Sequence, residues 1–493
     1  MLGTIIQKEL KSYISSPKFV VTFLVCTLLI LLSVWVGIKD YQAGVARYEA
    51  SLQLNEISLQ EQTWENMGTR AYRQPDPMQI FVSGVHNDIG RFSGIQERQE
   101  IKLRNSMYSD SSIFALFRFV DFAFIVQMVL SLFAILFTYD AINGERESGT
   151  LQLTFANPVP RARFILGKLV GSWLGLVIPL LIPILLAVLL VMLMRVPMTP
   201  LHWQKLGGLA VVSLLFFTFF IALGLLVSAL TRRSATSFLV LLVIWVVLVF
   251  IVPRAGVMAA GQLMEVPSVA EIQSRKDGFA REQQRRNSEE MMQRSRDFSK
   301  KMEGMKEADR NELMKKYLDD LRKEGDESRK KMNQEIADYS RKLNEERRNR
   351  QARQEKLAFT LSRFSPASAF SLAAMNLAET DIALKSRAED AMTDYRSEVV
   401  DLAAEKAAAG GRGTPEVFRF EAGSGDKKVM FGIGFAGSNS PTLDPAEVPV
   451  FSSQPRSLSE ITAGTLVDVG LMALYSLLAF AGAFVGFLRY DVR

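Results

Sequence analysis

The stretch GERESGTLQLTFANPVPRARFILGK, Gly144 to Lys168, lies between two long apolar runs and decides how the chain is read. It gathers Glu145, Glu147, a Gly149-Thr150 pair, Pro158, Arg161 and Arg163 into one short segment. Charges and irregular backbone of this kind cannot be satisfied in hydrocarbon, so the segment belongs in water at a membrane face. Glu145 and Glu147 suit a helix N-terminus through the backbone dipole. Gly149 permits a tight turn, and Thr150 can cap the next helical turn. Arg161, Arg163 and Lys168 suit the headgroup level, where they would set the depth of the next apolar run. By spacing alone, an ordinary charged loop fits equally well.

Outward from this segment, six apolar windows read as membrane spans: Phe19–Ile38, Phe119–Tyr139, Phe164–Met194, Leu209–Leu230, Ser237–Val252 and Leu466–Leu488. The third is long, and its Pro179 and Pro183 suggest a kink that membrane helices tolerate. The first comes after Lys8, Lys11 and Lys18 but ends in WVGIKD without a small-residue cleavage site, so it reads as an uncleaved anchor. Cys26, the single cysteine, falls inside it and leaves the redox compartment open. Six spans put both termini on one side. Lys8, Lys11, Lys18, Arg146, Arg161, Arg163, Arg232, Arg233, Arg489 and Arg493 fall there, against Arg195 and Lys205 in the one short opposite loop, which predicts cytoplasmic termini.

Residues 39–118 and 253–465 then face outward. The first is expected to be a mostly helical, polar segment with a turn at Gln74–Pro77. Within the second, residues 271–360 hold 25 Lys+Arg and 20 Asp+Glu, which accounts for five of the net charge of +6. The basic balance is therefore local and gives no sign of nucleic-acid binding. Apolar residues recur there at three- and four-residue spacing: Phe298, Met302, Met305; Met314, Leu318, Leu321; Met332, Ile336, Tyr339, Leu343. That pattern suits a coiled-coil seam, with Gly325 as the point where a hairpin could turn; a solvated helix or a disordered charged tract is the plain alternative. Ala367–Met392 reads as amphipathic helix near the outer membrane face. Residues 409–456 read as loops with one strand, Lys428–Phe435.

Three motifs resemble one family. The E-x-x-x-G-T-L, P-x-x-R and G-K pattern of Glu145–Lys168 resembles the cytoplasmic coupling segment of ABC-2-type transporter permeases. TIIQKELKSYISSPKF, with Lys8, Glu9 and Leu10, resembles the interfacial helix (1–18) that precedes their first span; Ile5, Ile6, Leu10, Tyr13 and Ile14 can share one face, with the charges elsewhere. The ending GFLRYDVR, with a tail at 489–493, is similar to a bacterial subgroup with a large outer insert between the fifth and sixth spans. The resemblance implies an all-α polytopic membrane protein: six transmembrane helices, a large, mainly helical extracytoplasmic insert and a small β element.

It also implies a permease subunit in the bacterial inner membrane. Segment 140–163, with Glu145, Glu147, Gly149, Thr150, Leu151, Pro158 and Arg161, would couple the spans to export driven by two copies of a separate cytoplasmic ATPase. A second permease copy or a sibling would complete the assembly, with the lipid bilayer around it and an extracytoplasmic protein as a further partner. ATP and Mg would be held by that ATPase, with no cofactor on this chain. The rival function is a mechanotransmitter acting through the outer coil without moving a substrate.

Other polar residues near the spans are candidates for a pathway or dimer seam: Gln127, Asp121 and Asp468, beside Arg118. Near an interface, local pairing or snorkelling is the plainer reading of all but Gln127. No G-x-x-x-x-G-K-[ST] loop occurs; Gly410-Gly411-Arg412-Gly413 lacks the lysine. No H-E-x-x-H occurs, and His86 and His202 stand in different loops, so no metal site is expected. The coil methionines suit seam packing better than soft-metal binding, and nothing supports an intramembrane protease.

Overall fold

The computed structural model describes residues 2–96, 101, 103–104, 120–156, 158–302, 307–409, 415–422, 428–435, 443–453 and 455–489. Among them six helices are long and apolar enough to cross a membrane: Pro17–Gln60, Phe122–Glu147, Arg161–Leu193, Pro200–Leu230, Ser234–Leu263 and Leu458–Leu488. Their many outward Leu, Val and Ile side chains suit a lipid solvent. The chain is an all-α polytopic membrane protein with two short strand pairs.

Local chemistry sets the ends of these helices. Pro17 cannot continue α1 (Leu2–Ile14) but fits the first turn of α2 (Pro17–Gln60), where the Ser16 hydroxyl accepts from Phe19 N at 3.2 Å. The second span carries π-helical turns at Ile125–Leu130 before α3 (Ser131–Thr138). Two short helices come next, α4 (Asn143–Glu147) and α5 (Thr150–Ala156). The third span, α6 (Arg161–Leu193), runs on through Pro179 and Pro183.

At the bundle centre is α7 (Pro200–Leu230), with Phe216, Phe220 and Ile221 fully buried. The fifth span opens with α8 (Ser234–Val246) and has its own π-helical segment at Val247–Ile251. Against α7 lie the last helix, α14 (Leu458–Leu488), and α12 (Pro366–Leu377). The segment expected near the outer face is thus partly internal: Pro366–Phe370 are buried, and Phe370 stacks on Phe216 at 4.7 Å. Its alanines leave room for that approach.

Two compact units divide the chain: 1–250 with 365–493, and 251–364. In the first, α2 carries residues 39–60, and the described residues beyond it form 3-10 turns at Trp64–Asn66 and Pro77–Ile80 and a strand pair, β1 (Thr69–Tyr72) antiparallel to β2 (Phe92–Ile95), which the expectation of a mostly helical, polar segment did not include. Thr69, Ala71 and Tyr72 are buried and Arg70 is exposed; Ala71 has its partner surface distant in sequence, on α13 (Leu384–Ala409). Ala71, Ile95, Met392, Tyr395, Val399 and Phe451 form one small core. Leu59, Trp64, Leu443 and Val448 form another. The strand expected at Lys428–Phe435 is present as β4, and its partner, β3 (Pro415–Ala422), went unread.

His86 packs in this part beside Arg73, whose Nη2 donates to His86 O at 2.8 Å. Burial, then Arg73 and Arg91, hold its imidazole well below the usual histidine range. The unfolded chain therefore binds the proton first. Stability is full above about pH 6.5 and falls below it, with a limiting slope of about 1.4 kcal/mol per pH unit for one proton. Thermal melts of wild type and His86→Gln across that range test this; parallel pH profiles would refute it.

The second unit contains α9 (Val252–Leu263), α10 (Val269–Met302) and α11 (Glu307–Ser362). Phe279 stacks on Tyr339 at 4.1 Å and Ser328 donates to Asn287 at 3.0 Å, so α10 and α11 run antiparallel. Gly325, expected as the turning point, is inside α11. One helical glycine costs only about 1 kcal/mol relative to alanine, too little to break a 56-residue helix. Of the expected seam, Tyr339 and Leu343 (6% exposed) face inward beside Ile272 (5%). Met305 lies outside the described residues, as do the side chains of Met302, Met314, Leu318 and Leu321.

Candidate functional site

Gly167, Gly171 and Gly175 fall on one face of α6, four residues apart, and make a groove without side chains. Helix α1 lies in it. A Cβ on Gly167 would come 2.7 Å from Ile5 Cγ2, one on Gly171 2.7 Å from Glu9 Cβ, and one on Gly175 3.0 Å from Tyr13 Cδ2. The buried face of α1 therefore contains Glu9 (5% exposed) and Tyr13, while Ile14 is 54% exposed. Leu10 is half-buried. This corrects the expected apolar face, which left Glu9 outside.

Glu9 is tolerated inside because Lys168 is there too. Lys168, 3% exposed, lies 2.8 Å from Glu9 Oε1 and 2.9 Å from Glu145 Oε1, and Lys8 reaches the same Glu145 oxygen at 2.6 Å. Two carboxylates and two ammonium groups balance, as a buried ionic cluster requires. Lys168, expected at the headgroup level, has its ammonium group inside the protein among these carboxylates. Glu145 Oε2 is buried with no hydrogen-bond partner among the described residues. Tyr13 completes the junction, its hydroxyl within 2.9 Å of Ser172 Oγ and donating to Phe137 O at 3.2 Å.

The two short helices bond outward in several directions. Glu147 does serve a helix N-terminus, but that of α8, accepting from Ser234 N and Ser234 Oγ, each at 2.9 Å. Asn143, fully buried, donates to Thr231 Oγ1 at 3.0 Å and accepts from Ser228 Oγ at 3.1 Å, which ties α4 to the end of α7. Gly149 takes φ +72°, the left-handed conformation that lets α4 give way to α5 without a connecting loop. Thr150 does not cap α5 with its side chain: the hydroxyl donates back to Glu145 O at 3.2 Å.

Leu151 is buried, and Phe155 packs at 5.2 Å on Phe164 of α6 and 5.9 Å on Phe487 of α14. Arg161 donates to Leu488 O at 2.7 Å, closing the C-terminus of α14. Pro158 and Arg163 are exposed, and so is Leu153, at 70%. The short helices thus touch, directly or through one residue, α1, α6, α7, α8 and α14.

Compared with known families, residues 3–492 match the ABC-2 family transporter protein. The chain belongs to this ABC-2 family. The match spans nearly the whole chain and makes it a multi-pass membrane subunit of an ABC transporter, a class that works with a partner ATPase subunit. A comparison with curated proteins gives no match.

The remaining candidates in this ABC-2 protein are dispersed. Gln127, in the π-helical turns, accepts from Ser371 of α12 at 2.9 Å. Asp121 caps the start of the second span, accepting from Phe124 N, Ser83 N and Ser83 Oγ within 2.9 Å, while Asp468 is buried in α14. Arg118 lies outside the described residues. Among the described residues no group of His, Cys, Asp or Glu could hold a metal. Sequence reading missed Asn143, the inward Lys168 and the glycine groove. The glycine spacing was the one available signal, since small residues at every fourth position let membrane helices approach.

Proposed function

We propose that this chain is the permease half of an ABC exporter, with α4–α5 as the block on which a cytoplasmic ATPase pushes. The contact set of that block supports the reading: Glu145, Glu147, Asn143 and Phe155 link it to helices at both ends of the sequence and to four spans. A push on exposed Leu153 would therefore move helices together instead of deforming a loop. Glu145 Oε2 adds a buried acceptor that a shifted donor can take up. Two ATPase copies and a second permease copy or sibling complete the assembly, with ATP and Mg on the ATPase, both termini cytoplasmic and residues 39–118 and 253–465 outside a bacterial inner membrane.

The charge-reversed variant Glu145→Lys/Glu147→Lys is predicted to insert normally yet lose ATPase stimulation by more than about tenfold, because two ionic or capped contacts become repulsive. Wild-type stimulation in membranes containing the partner would sink the coupling role. A second reading is favoured by the helices of the 251–364 unit, at 34 and 56 residues about 50 and 84 Å long. In it the hairpin passes ATPase motion to an envelope partner. Deleting 270–360 decides between them: export retained supports the permease, and export unneeded but partner function lost supports transmission.

A further inference from the structure

A cavity of about 100 Å³ lies between α6, α7 and the start of the second span, at the end of the bundle near the α6–α7 loop. Its walls come from Phe81 and from residues within 122–130, 177–188 and 206–217, all of them described. Ser213 is the one polar residue in these walls, and its hydroxyl donates to Leu209 O of its own helix at 2.7 Å. A water inside would meet one acceptor where it needs two to four partners, so the cavity stays dry. Two alanines explain the unfilled volume. Ala187 of α6 and Ala210 of α7 stand in walls otherwise built of Leu, Val, Ile and Phe. Leu181 both lines the cavity and is 44% exposed, which puts its mouth on the surface that lipid covers.

We propose that this cavity binds one hydrocarbon tail of a surrounding phospholipid, drawn in past Leu181. A dry void leaves the atoms around it without dispersion partners on one side. Apolar cavities of about 150 Å³ lined by Leu, Ile and Phe exclude water and take up benzene or xenon. In a membrane span the medium at the mouth is itself hydrocarbon, so a tail is the apolar ligand at hand. No charged residue stands in the wall, and the one hydroxyl is already engaged, so a headgroup, sugar or peptide finds nothing to hold it there. The headgroup stays at the interface and the tail alone enters. Once in place it touches α6, α7 and the second span together. The site lies apart from the α1 junction and is independent of transport and of coupling through α4–α5.

The test uses the full chain in phosphatidylcholine nanodiscs that include a phosphatidylcholine with a diazirine in one tail. After irradiation, mass mapping of peptides locates the adducts. Leu130, Val177 and Leu209, each 5% exposed or less, are reached only by a tail that has entered. Leu185, 65% exposed and outside the wall, reports ordinary lipid contact. Labelling of the three inner positions is expected in the wild type. Ala210→Phe fills the cavity from α7 and should cut inner labelling about fivefold or more, with Leu185 labelling unchanged. Ala187→Leu fills it from α6 and serves if the first variant fails to fold. No inner labelling in the wild type, as when side chains of a second copy fill the mouth, overturns the proposal. Inner labelling that both variants leave unchanged overturns it too. Inner labelling by photoreactive decane but not by the lipid probe would overturn the lipid tail in favour of a separate apolar molecule.

Discussion

Replacing Lys168 by Met is expected to release α1 from the bundle and destabilise the protein by about 3–5 kcal/mol, because it strands the buried Glu9 carboxylate and leaves Glu145 with Lys8 alone. Lys168 is the group that Glu9 and Glu145 share, at 2.8 and 2.9 Å, and at 3% exposure no water can replace it. Lys8, half exposed, cannot accompany Glu9 inward. SDS unfolding in mixed micelles measures the loss, and trypsin cleavage at Lys8 and Lys11 reports α1 release. The triple variant Lys168→Met/Glu9→Gln/Glu145→Gln should recover much of the stability, since removing all partners of a buried pair costs far less than removing one. A Lys168→Met protein with wild-type unfolding and wild-type protection of α1 would show that the cluster holds nothing together.

The second large effect concerns shape and not charge. Gly171→Leu places a side chain where Glu9 Cβ already stands 2.7 Å from the modest volume of a Cβ. The neighbour is the stem of a residue pinned by Lys168 and by the α1 backbone, so it cannot swing aside. Expulsion of α1 is the outcome, at a cost of several kcal/mol, with Gly171→Ala milder because α1 need move only tenths of an ångström to about one. Gly207→Leu, on α7 with open space around it, is the control and should be at least as stable as wild type, gaining up to about 1 kcal/mol from helix propensity. Gly171→Leu and Gly207→Leu with equal trypsin sensitivity in α1 would refute the groove. If both large predictions hold, variants at Lys168 and Gly171 should also lose ATPase stimulation, because Glu145 of α4 is held by the same lysine.

Particular residues show how much of this was legible. Glu145, Glu147 and Gly149 stood out by their spacing, and the polarity of the segment placed it outside hydrocarbon. Their partners did not. Glu147 finds Ser234, 87 positions on, and Glu145 finds Lys8 and Lys168, 137 and 23 positions away. Hydropathy reads Lys168 as a charge to be kept at the surface, because a one-dimensional average cannot see two carboxylates arriving from other helices. The same limit hid the outer cores, where β1 and β2 meet Met392 and Tyr395 from far along the chain. It also misplaced the hairpin turn, since glycine propensity is small beside the summed preference of a long Lys- and Glu-rich helix.

Sequence by itself determined what bilayer physics enforces residue by residue: six apolar helices, polar backbone only outside them, a charged helical insert and the strand at Lys428–Phe435. Each depends on the transfer of a single segment between water and hydrocarbon or on local periodicity, so order along the chain suffices. The tertiary structure alone decided which charges are buried together, which face of α1 docks, and that α4–α5 binds five helices at once. Those outcomes are set by pairwise Coulomb and steric terms between distant segments, which fall off within a few ångströms and exist only once the helices have packed.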